Sequence, residues 1–173
     1  MTEELKDRSA PSGDTVSASP PVISVMLIVQ DAHAAVAWYK TALGATELWN
    51  LGGVAGLEIS GAAFFLHEVN PENPTETSPG QAGVTSIRIE VFADDPDTFI
   101  ERAVAAGAIA GAGIEDHHVP WGTHRQGGFT DPFGHKWSVG DKSPLARSHA
   151  DRAGPSNATQ DRAGRHGLRS GQL

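Results

Sequence analysis

The feature that most constrains this chain is an internal duplication. The segment VISVMLIVQDAHAAVAWYKTALGA, from Val22 to Ala45, is answered by TSIRIEVFADDPDTFIERAVAAGA, from Thr85 to Ala108. Each copy reads as an alternating strand, an acidic residue, an amphipathic stretch and a Gly-Ala pair. A unit repeated at this length folds twice in the same way and buries its apolar face against its twin. Asp31 is placed to cap the first helix and Gly44 to end it. Asp95, followed by Pro96, starts the second helix and Gly107 ends it. Ala35, Tyr39 and Leu43 share one helical face, with Val36 and Ala42 beside it. Phe99, Ala103 and Ala106 repeat that face, with Ile100 and Val104.

Aligning Asp31 with Asp95 sets the strand faces, and a one-residue slip would exchange them. In this register Val25, Leu27 and Val29 match Ile89, Val91 and Ala93 beneath the helices. Ser24, Met26 and Ile28 match Arg88, Glu90 and Phe92 on the opposite face. The alternative would bury Arg88 and Glu90 under a helix at high desolvation cost. Strand-like runs follow each helix at 45–51, 54–60 and 62–68, and again at 109–115, 124–130 and 135–140. Asp131-Pro132-Phe133-Gly134 reads as a tight turn before the last strand. The order is therefore β-α-β-β-β, twice: a module at 22–68, a Pro-rich linker at 69–82, and a module at 83–142.

The flanks differ in kind. Residues 1–21 are rich in Ser, Pro and acidic groups, and the large apolar residues of 143–173 are few and all Leu, so both are expected to be disordered. The whole chain carries 13 basic and 21 acidic residues, a net −8. The C-terminal stretch, with five Arg against two Asp, is +3, and the 22–142 domain is −9. That balance argues against coating a phosphate backbone, so nucleic acid is not an expected partner. A cleft in so acidic a domain suits a cationic or aromatic compound. The Arg-containing tail offers a further reading, a scaffold for an acidic partner. Zero Cys excludes a disulfide framework, a thiolate metal site and a Cys nucleophile. It fits a reducing compartment, and a cytoplasmic protein is expected. No apolar run reaches the roughly 18 residues of a membrane span, and the polar, acidic N-terminus does not read as a secretory signal.

Several motifs resemble one superfamily. Val29-Gln30-Asp31, Ala37-Trp38-Tyr39-Lys40 and Leu43-Gly44-Ala45 resemble the opening of the vicinal oxygen chelate superfamily, which includes glyoxalase I, bleomycin-resistance proteins and extradiol dioxygenases. Arg102 through Ala108, Trp121-Gly122, and Asp131-Pro132-Phe133-Gly134-His135-Lys136-Trp137-Ser138 are similar to its PhnB-like branch. The resemblance covers 22–142. It implies an α+β fold in which two tandem β-α-β-β-β modules form a curved eight-stranded mixed sheet around a cleft. The helices would lie on the convex side, and a homodimer would be expected.

Metal-dependent members of the superfamily direct four side chains at one divalent ion. The resemblance carries those positions onto Ser24, Phe65, Arg88 and Ser138. Arg keeps its proton in proteins and Phe has no lone pair, so no metal and no other cofactor is expected. A shifted site for one divalent ion would have to draw on His67 and Glu90. His117 and His118 would point to opposite sides of an extended strand. His135 shares a face with Trp137 and Val139, toward the helix.

A metal-free cleft would be walled by Met26, Ile28, Phe65 and Phe92. Its polar anchors would be His67, Arg88, Glu90 and Ser138, with Lys136 near the strand start. Trp121, His124 and Arg125 are expected to form a lid. Aromatic walls with a few polar groups suit a small molecule. No Gly-rich phosphate loop and no G-x-S-x-G elbow is present. Two functions remain at this level. One is a binder that sequesters a small molecule in the manner of bleomycin-resistance proteins. The other is a divalent-metal-dependent lyase, isomerase or dioxygenase.

Overall fold

The computed structural model describes residues 22–150, and the expectations for 1–21 and 151–173 lie outside the described residues. In chain order the elements are β1 (Met26–Val29), α1 (Ala32–Leu43), β2 (Thr46–Asn50), β3 (Val54–Ile59), β4 (Ala62–Glu68), α2 (Pro79–Ala82), β5 (Arg88–Phe92), α3 (Pro96–Ala105), β6 (Ile109–Ala110), β7 (Glu115–Val119), β8 (Gly122–Thr130), β9 (Lys136–Gly140) and α4 (Ser143–Ala150).

The caps form as the sequence dictates. Asp31 accepts from Ala34 N at 2.8 Å, and Asp95 accepts from Thr98 N at 3.0 Å with Pro96 in the first turn. Gly44 closes α1 at φ 70°, a left-handed conformation that a Cβ would penalise. The duplication is carried into the topology. One sheet has the order β1-β4-β3-β2; the other runs β5-β9-β8-β6, with β7 also on β8. In each, the first strand of the module pairs parallel with the last, and the remaining pairs are antiparallel.

The α+β class and mixed sheets therefore hold, but the strands do not form one continuous sheet of eight. Among the described residues, nine strands divide into sheets of four and five, each ending at the first strand of its module. On β1, Val25 O and Val29 O accept from β4 and its extension (Phe65 N and Val69 N, both 2.9 Å). Ile28 O points the other way and accepts instead from His135 Nε2 at 3.0 Å. A side chain thus meets an edge carbonyl that a neighbouring strand would otherwise use.

Three further expectations are corrected. The strand expected at 109–115 is split into β6 and β7, which occupy successive stretches of β8. Gly111 N donates to Gly128 O at 2.9 Å, and Gly113, at φ 95°, turns the chain before pairing resumes. The linker is also more than a connector. Ser78 caps the short α2, and Gly80 N donates to Phe133 O at 3.0 Å, pinning α2 to the 131–134 turn. Finally, the segment expected to be disordered from 143 onward begins with helix α4.

The core lies where the helices meet both sheets. Leu27, Val29, Leu57, Phe64 and Leu66 of the first module, and Phe129, Trp137 and Val139 of the second, enclose buried Tyr39, Ala42, Leu43, Ile100 and Ala103 from the helices. Val104, expected on the buried face of α3, is instead 38% exposed. Trp38 joins the modules: its ring packs against Phe129 and Phe133, and its Nε1 donates to Ala106 O at 2.8 Å. Arg102 Nε returns a bond to Ala42 O at 2.7 Å.

At the centre stands Asp131, 2% exposed. Its Oδ2 accepts from Tyr39 Oη at 2.6 Å and Trp137 Nε1 at 2.8 Å. Its Oδ1 accepts from the backbone N–H groups of Phe133 (3.0 Å) and His135 (2.9 Å). Four donors compensate the desolvated carboxylate without a cation. Burial, and then the neighbouring carboxylate, push the Tyr39 hydroxyl well above its ordinary range, so it remains a donor.

Candidate ligand-binding site

Strand pairing defines the faces turned away from the helices. On the first sheet one cross-strand row holds Met26, Phe65, Gly56 and Trp49, and the next holds Ile28, His67 and Val54. On the second sheet the rows are Arg88, Lys136 and Thr130; Glu90, Ser138 and Gly128; and Phe92, Gly140, Gln126 and Glu115. The burial pattern follows. Leu27 and Val29 are buried while Met26 is half exposed, and Arg88 and Glu90 face outward.

The second sheet carries a cavity of about 490 Å³, bordered by Arg88, Lys136, Thr130, Ser138, Gln126 and Glu115, with His117 beside them. Its size falls within the ordinary range for small-molecule sites. Ser138 is 5% exposed, lines the cavity and makes no side-chain hydrogen bond among the described residues. The anchors differ in their commitments. Gln126 Nε2 donates to Glu90 Oε1 at 3.4 Å, while Arg88 approaches the same oxygen only to 3.9 Å. Two cations, Arg88 and Lys136, and one carboxylate, Glu115, border this cavity, and Glu90 stands just outside that border, against Arg88 and Gln126, so the lining itself is not acidic as net charge suggested.

Two smaller cavities lie along the seam between β1 and β5. One, about 390 Å³, is lined by Met26, Ile28, Ile87, Ile89 and His135 among others. The other, about 400 Å³, is mainly apolar and takes residues from both modules, including Ile59, Ala63, Val91, Phe92 and Leu145 of α4; Glu90 also reaches it. The site residues read from sequence are thus distributed. Arg88 and Ser138 share the large cavity, Met26 lines one seam cavity, and Glu90 and Phe92 line the other.

Phe65 and His67 line none of these three cavities. Phe65 instead stacks with Trp49, ring centroids 5.7 Å apart and planes 27° off parallel. Gly56 makes room for this stack, since a Cβ there would come within 2.6 Å of the indole. His67 Nδ1 donates to Glu68 O at 2.6 Å.

The expected lid is corrected. His124 is 7% exposed, its ring lying over Gly140 and its Nδ1 at 3.0 Å from Asp141 Oδ1 and 3.1 Å from Ser143 Oγ. Burial opposes the Asp141 charge. Bonds from Ser143, Arg125 N and His124 outweigh it and hold the carboxyl well below its ordinary range. Arg125 grips Asp97 with two bonds of 2.7 Å and Asp116 with one of 3.0 Å, so it clamps α3 and β7 to β8. The Arg125 bonds lower the Asp97 carboxyl. His124 and Arg125 sit in β8, a strand held on both sides, and only Trp121 occupies a turn, between β7 and β8. His117 and His118 lie in β7, not in a loop.

The four positions that the resemblance carries over do not make a ligand set. Ser24 Oγ donates to Ala63 O, Phe65 offers no lone pair and Arg88 keeps its proton. His67 and Glu90 stand on different sheets. Among the described residues, no group of three or more His, Cys, Asp or Glu side chains is clustered to hold an ion.

Gln126, Thr130 and Glu115 are the cavity residues that sequence reasoning missed, whereas Lys136 was read there near the strand start. The alternation Gln126-Gly128-Thr130 and the two-residue step from Lys136 to Ser138 were available signals. Glu115 needed the pairing itself, since it lies on a strand that shows no apolar alternation.

Comparison with known proteins was consistent across sequence and structure. Residues 22–139 match the family described as the Glyoxalase/Bleomycin resistance protein/Dioxygenase superfamily. The uncharacterized protein Rv0887c of Mycobacterium tuberculosis is 34% identical over 137 residues, covering 74% of this chain and 79% of its own. Among solved structures, TioX from Micromonospora sp. ML1 aligns with a TM-score of 0.55 at 27% identity, over 70% of this chain and 98% of that one. A glyoxalase/bleomycin resistance protein/dioxygenase from Nocardioides aligns with a TM-score of 0.50 at 27% identity, over 73% and 86%.

Proposed function

The chain belongs to the Glyoxalase/Bleomycin resistance protein/Dioxygenase superfamily, and from that premise we propose a metal-free protein that binds and sequesters a small molecule, in the manner of the bleomycin-resistance members. The observation that carries this reading is the pairing of a 490 Å³ cavity with a donor set unsuited to a metal. Arg88 and Ser138 supply directional anchors where a chelated ion would need lone pairs converging at about 2.0–2.2 Å. Binding would rest on hydrogen bonds to these anchors and on exclusion of water from the cavity. The Trp121 and Asp131–Ser138 motifs support placement in the PhnB-like branch, and the absence of Cys supports a cytoplasmic setting.

The reading includes a homodimer. Trp49, Met26, Leu48 and Leu51 leave substantial apolar surface exposed on the first sheet and its β2–β3 turn. Such surface is commonly covered by a partner.

Two measurements test the function. A compound library screened by thermal shift, with products analysed afterwards, is expected to yield saturable ligands recovered unchanged. Ligands recovered only as converted product would overturn sequestration. Elemental analysis after equilibration with Mn, Fe, Co, Ni and Zn is expected to give close to zero ions per chain. A stoichiometry near one, lost in both His67→Ala and Glu90→Ala, would establish the shifted metal site instead.

A further inference from the structure

The cavity on the second sheet has a polarity that names its ligand class. Arg88 and Lys136 are cross-strand partners on β5 and β9, and Thr130 continues the same row on β8. Neighbouring strands lie about 4.8 Å apart, so two full positive charges stand side by side on one face. Like charges placed opposite each other disfavour the sheet, and here one carboxylate, Glu90, offsets part of that charge through a loose ion pair with Arg88. Glu90 comes only to 3.9 Å from Arg88, beyond hydrogen-bond distance. Neither Arg88 nor Lys136 makes a side-chain hydrogen bond among the described residues. The guanidinium fork and the ammonium therefore keep their donors uncommitted, and both border the cavity.

The far end is opposite in character. Glu115 pairs with Gln126, which pairs with Gly140, four residues along β9 from Lys136. At about 3.3 Å per residue that is roughly 13 Å along the strands, and Glu115 also lies two strands across from Lys136. His117 lies beyond Glu115 on the same face of β7. Between the ends, Ser138 contributes a hydroxyl with no hydrogen-bond partner among the described residues.

Resting on the small-molecule reading above, we propose that this cavity takes a dipolar ligand. A terminal oxyanion, carboxylate or phosphate, is held between Arg88 and Lys136. A hydrogen-bond donor at the ligand's other end is turned toward Glu115. The Arg fork suits two oxygens of one anion, and the lysine adds a point charge. Gln126 and Thr130 set the side walls. A cation entering at the Arg88 end meets two like charges, so the selectivity is opposite to that implied by the domain's net charge.

The test uses the full chain, isotopically labelled, with benzoate and phenylphosphonate as anionic probes and benzamide as a neutral isostere. Both anions are expected to shift the amides around Arg88, Lys136 and Ser138 saturably, at the millimolar affinity that so few atoms sustain. Benzamide is expected to bind about tenfold more weakly, or not at all. Arg88→Ala with Lys136→Ala is expected to remove the anion preference. Both residues are exposed and carry like charge, so the double variant should melt no lower than the parent. Arg88→Lys should restore part of the preference. Equal binding of benzamide and benzoate, unchanged anion binding in the double variant, or no anion-induced shift up to about 10 mM would each overturn the proposal. Saturable binding of neutral compounds alone would overturn the oxyanion site while leaving sequestration standing. Turnover of a bound anion would do the reverse.

Discussion

Asp131 ties distant parts of the chain through one carboxylate. Tyr39 reaches it from 92 residues away, and Trp137 shares the same oxygen. Removing a hydrogen bond to a buried charge costs about 1.5–3 kcal/mol, so Tyr39→Phe should lose about that much in urea unfolding. The pH dependence follows from the raised Tyr39 hydroxyl. A group whose proton is held more tightly in the folded state contributes fully below its unfolded value of about 10 and loses that contribution as pH rises beyond it. Stability should therefore fall above pH ~10, and Tyr39→Phe should remove much of that alkaline fall. The sequence shows the turn Asp131-Pro132-Phe133-Gly134 and shows Tyr39 on a core face. It does not show that they meet, because neither periodicity nor turn chemistry reports on a partner so far along the chain.

At the scale of elements, two short helices turn ends of the structure into docked pieces. The N-terminus of α4 is held by Asp141, which accepts from Ser143 N at 2.8 Å and also engages His124. Asp141→Ala removes that bond from the first turn of α4, so it should cost about 1 kcal/mol and raise amide exchange in 143–150. Its depressed carboxyl gives the linkage its sign. The contribution is present above the unfolded value of about 3.9 and is lost as pH falls below it, so exchange in α4 should rise under acid. Helix α2 depends on close backbone approach. A Cβ at Gly134 would collide with Gly80 and Pro79, at φ 94°. Gly134→Ala combines left-handed strain with overpacking and should cost at least ~2 kcal/mol, measured by thermal unfolding. The Ser143-Pro144 start of α4 was a readable helix signal. Polar composition outweighed it, because composition cannot tell a solvated tail from a helix that finds a surface. Strand β7, Glu-Asp-His-His-Val, was still less visible. It has no apolar alternation, and its strand form is set by the hairpin with β8.

For the whole molecule, the repeated module produces two sheets of the same strand order around a shared layer of helices. Each sheet keeps one face for that layer and turns the other outward, which leaves the cavities on the outer faces and at the seam. The proposed homodimer gives a direct expectation. Sedimentation equilibrium should return twice the 18.1 kDa chain mass, and Trp49→Asp should shift the protein toward monomer. An unchanged dimer in that variant would place the contact elsewhere. Among the described residues, no helix is long and apolar enough to cross a membrane.

What the sequence determined by itself is what interactions within a few residues decide. Asp31 and Asp95 cap helices through amides three positions on, and Gly44 ends one through its own φ. The two-residue pleat placed Leu27 and Val29 inward and Arg88 and Glu90 outward, and the duplication set the sequence of elements along each module. Tertiary structure alone decided the division into two sheets, the Asp131 clamp, the burial of His124 under α4 and the adjacency of Arg88 and Lys136. Each is a contact between groups far apart in sequence. It depends on which edges pair and which loops close, and a local pattern of polarity does not encode that choice.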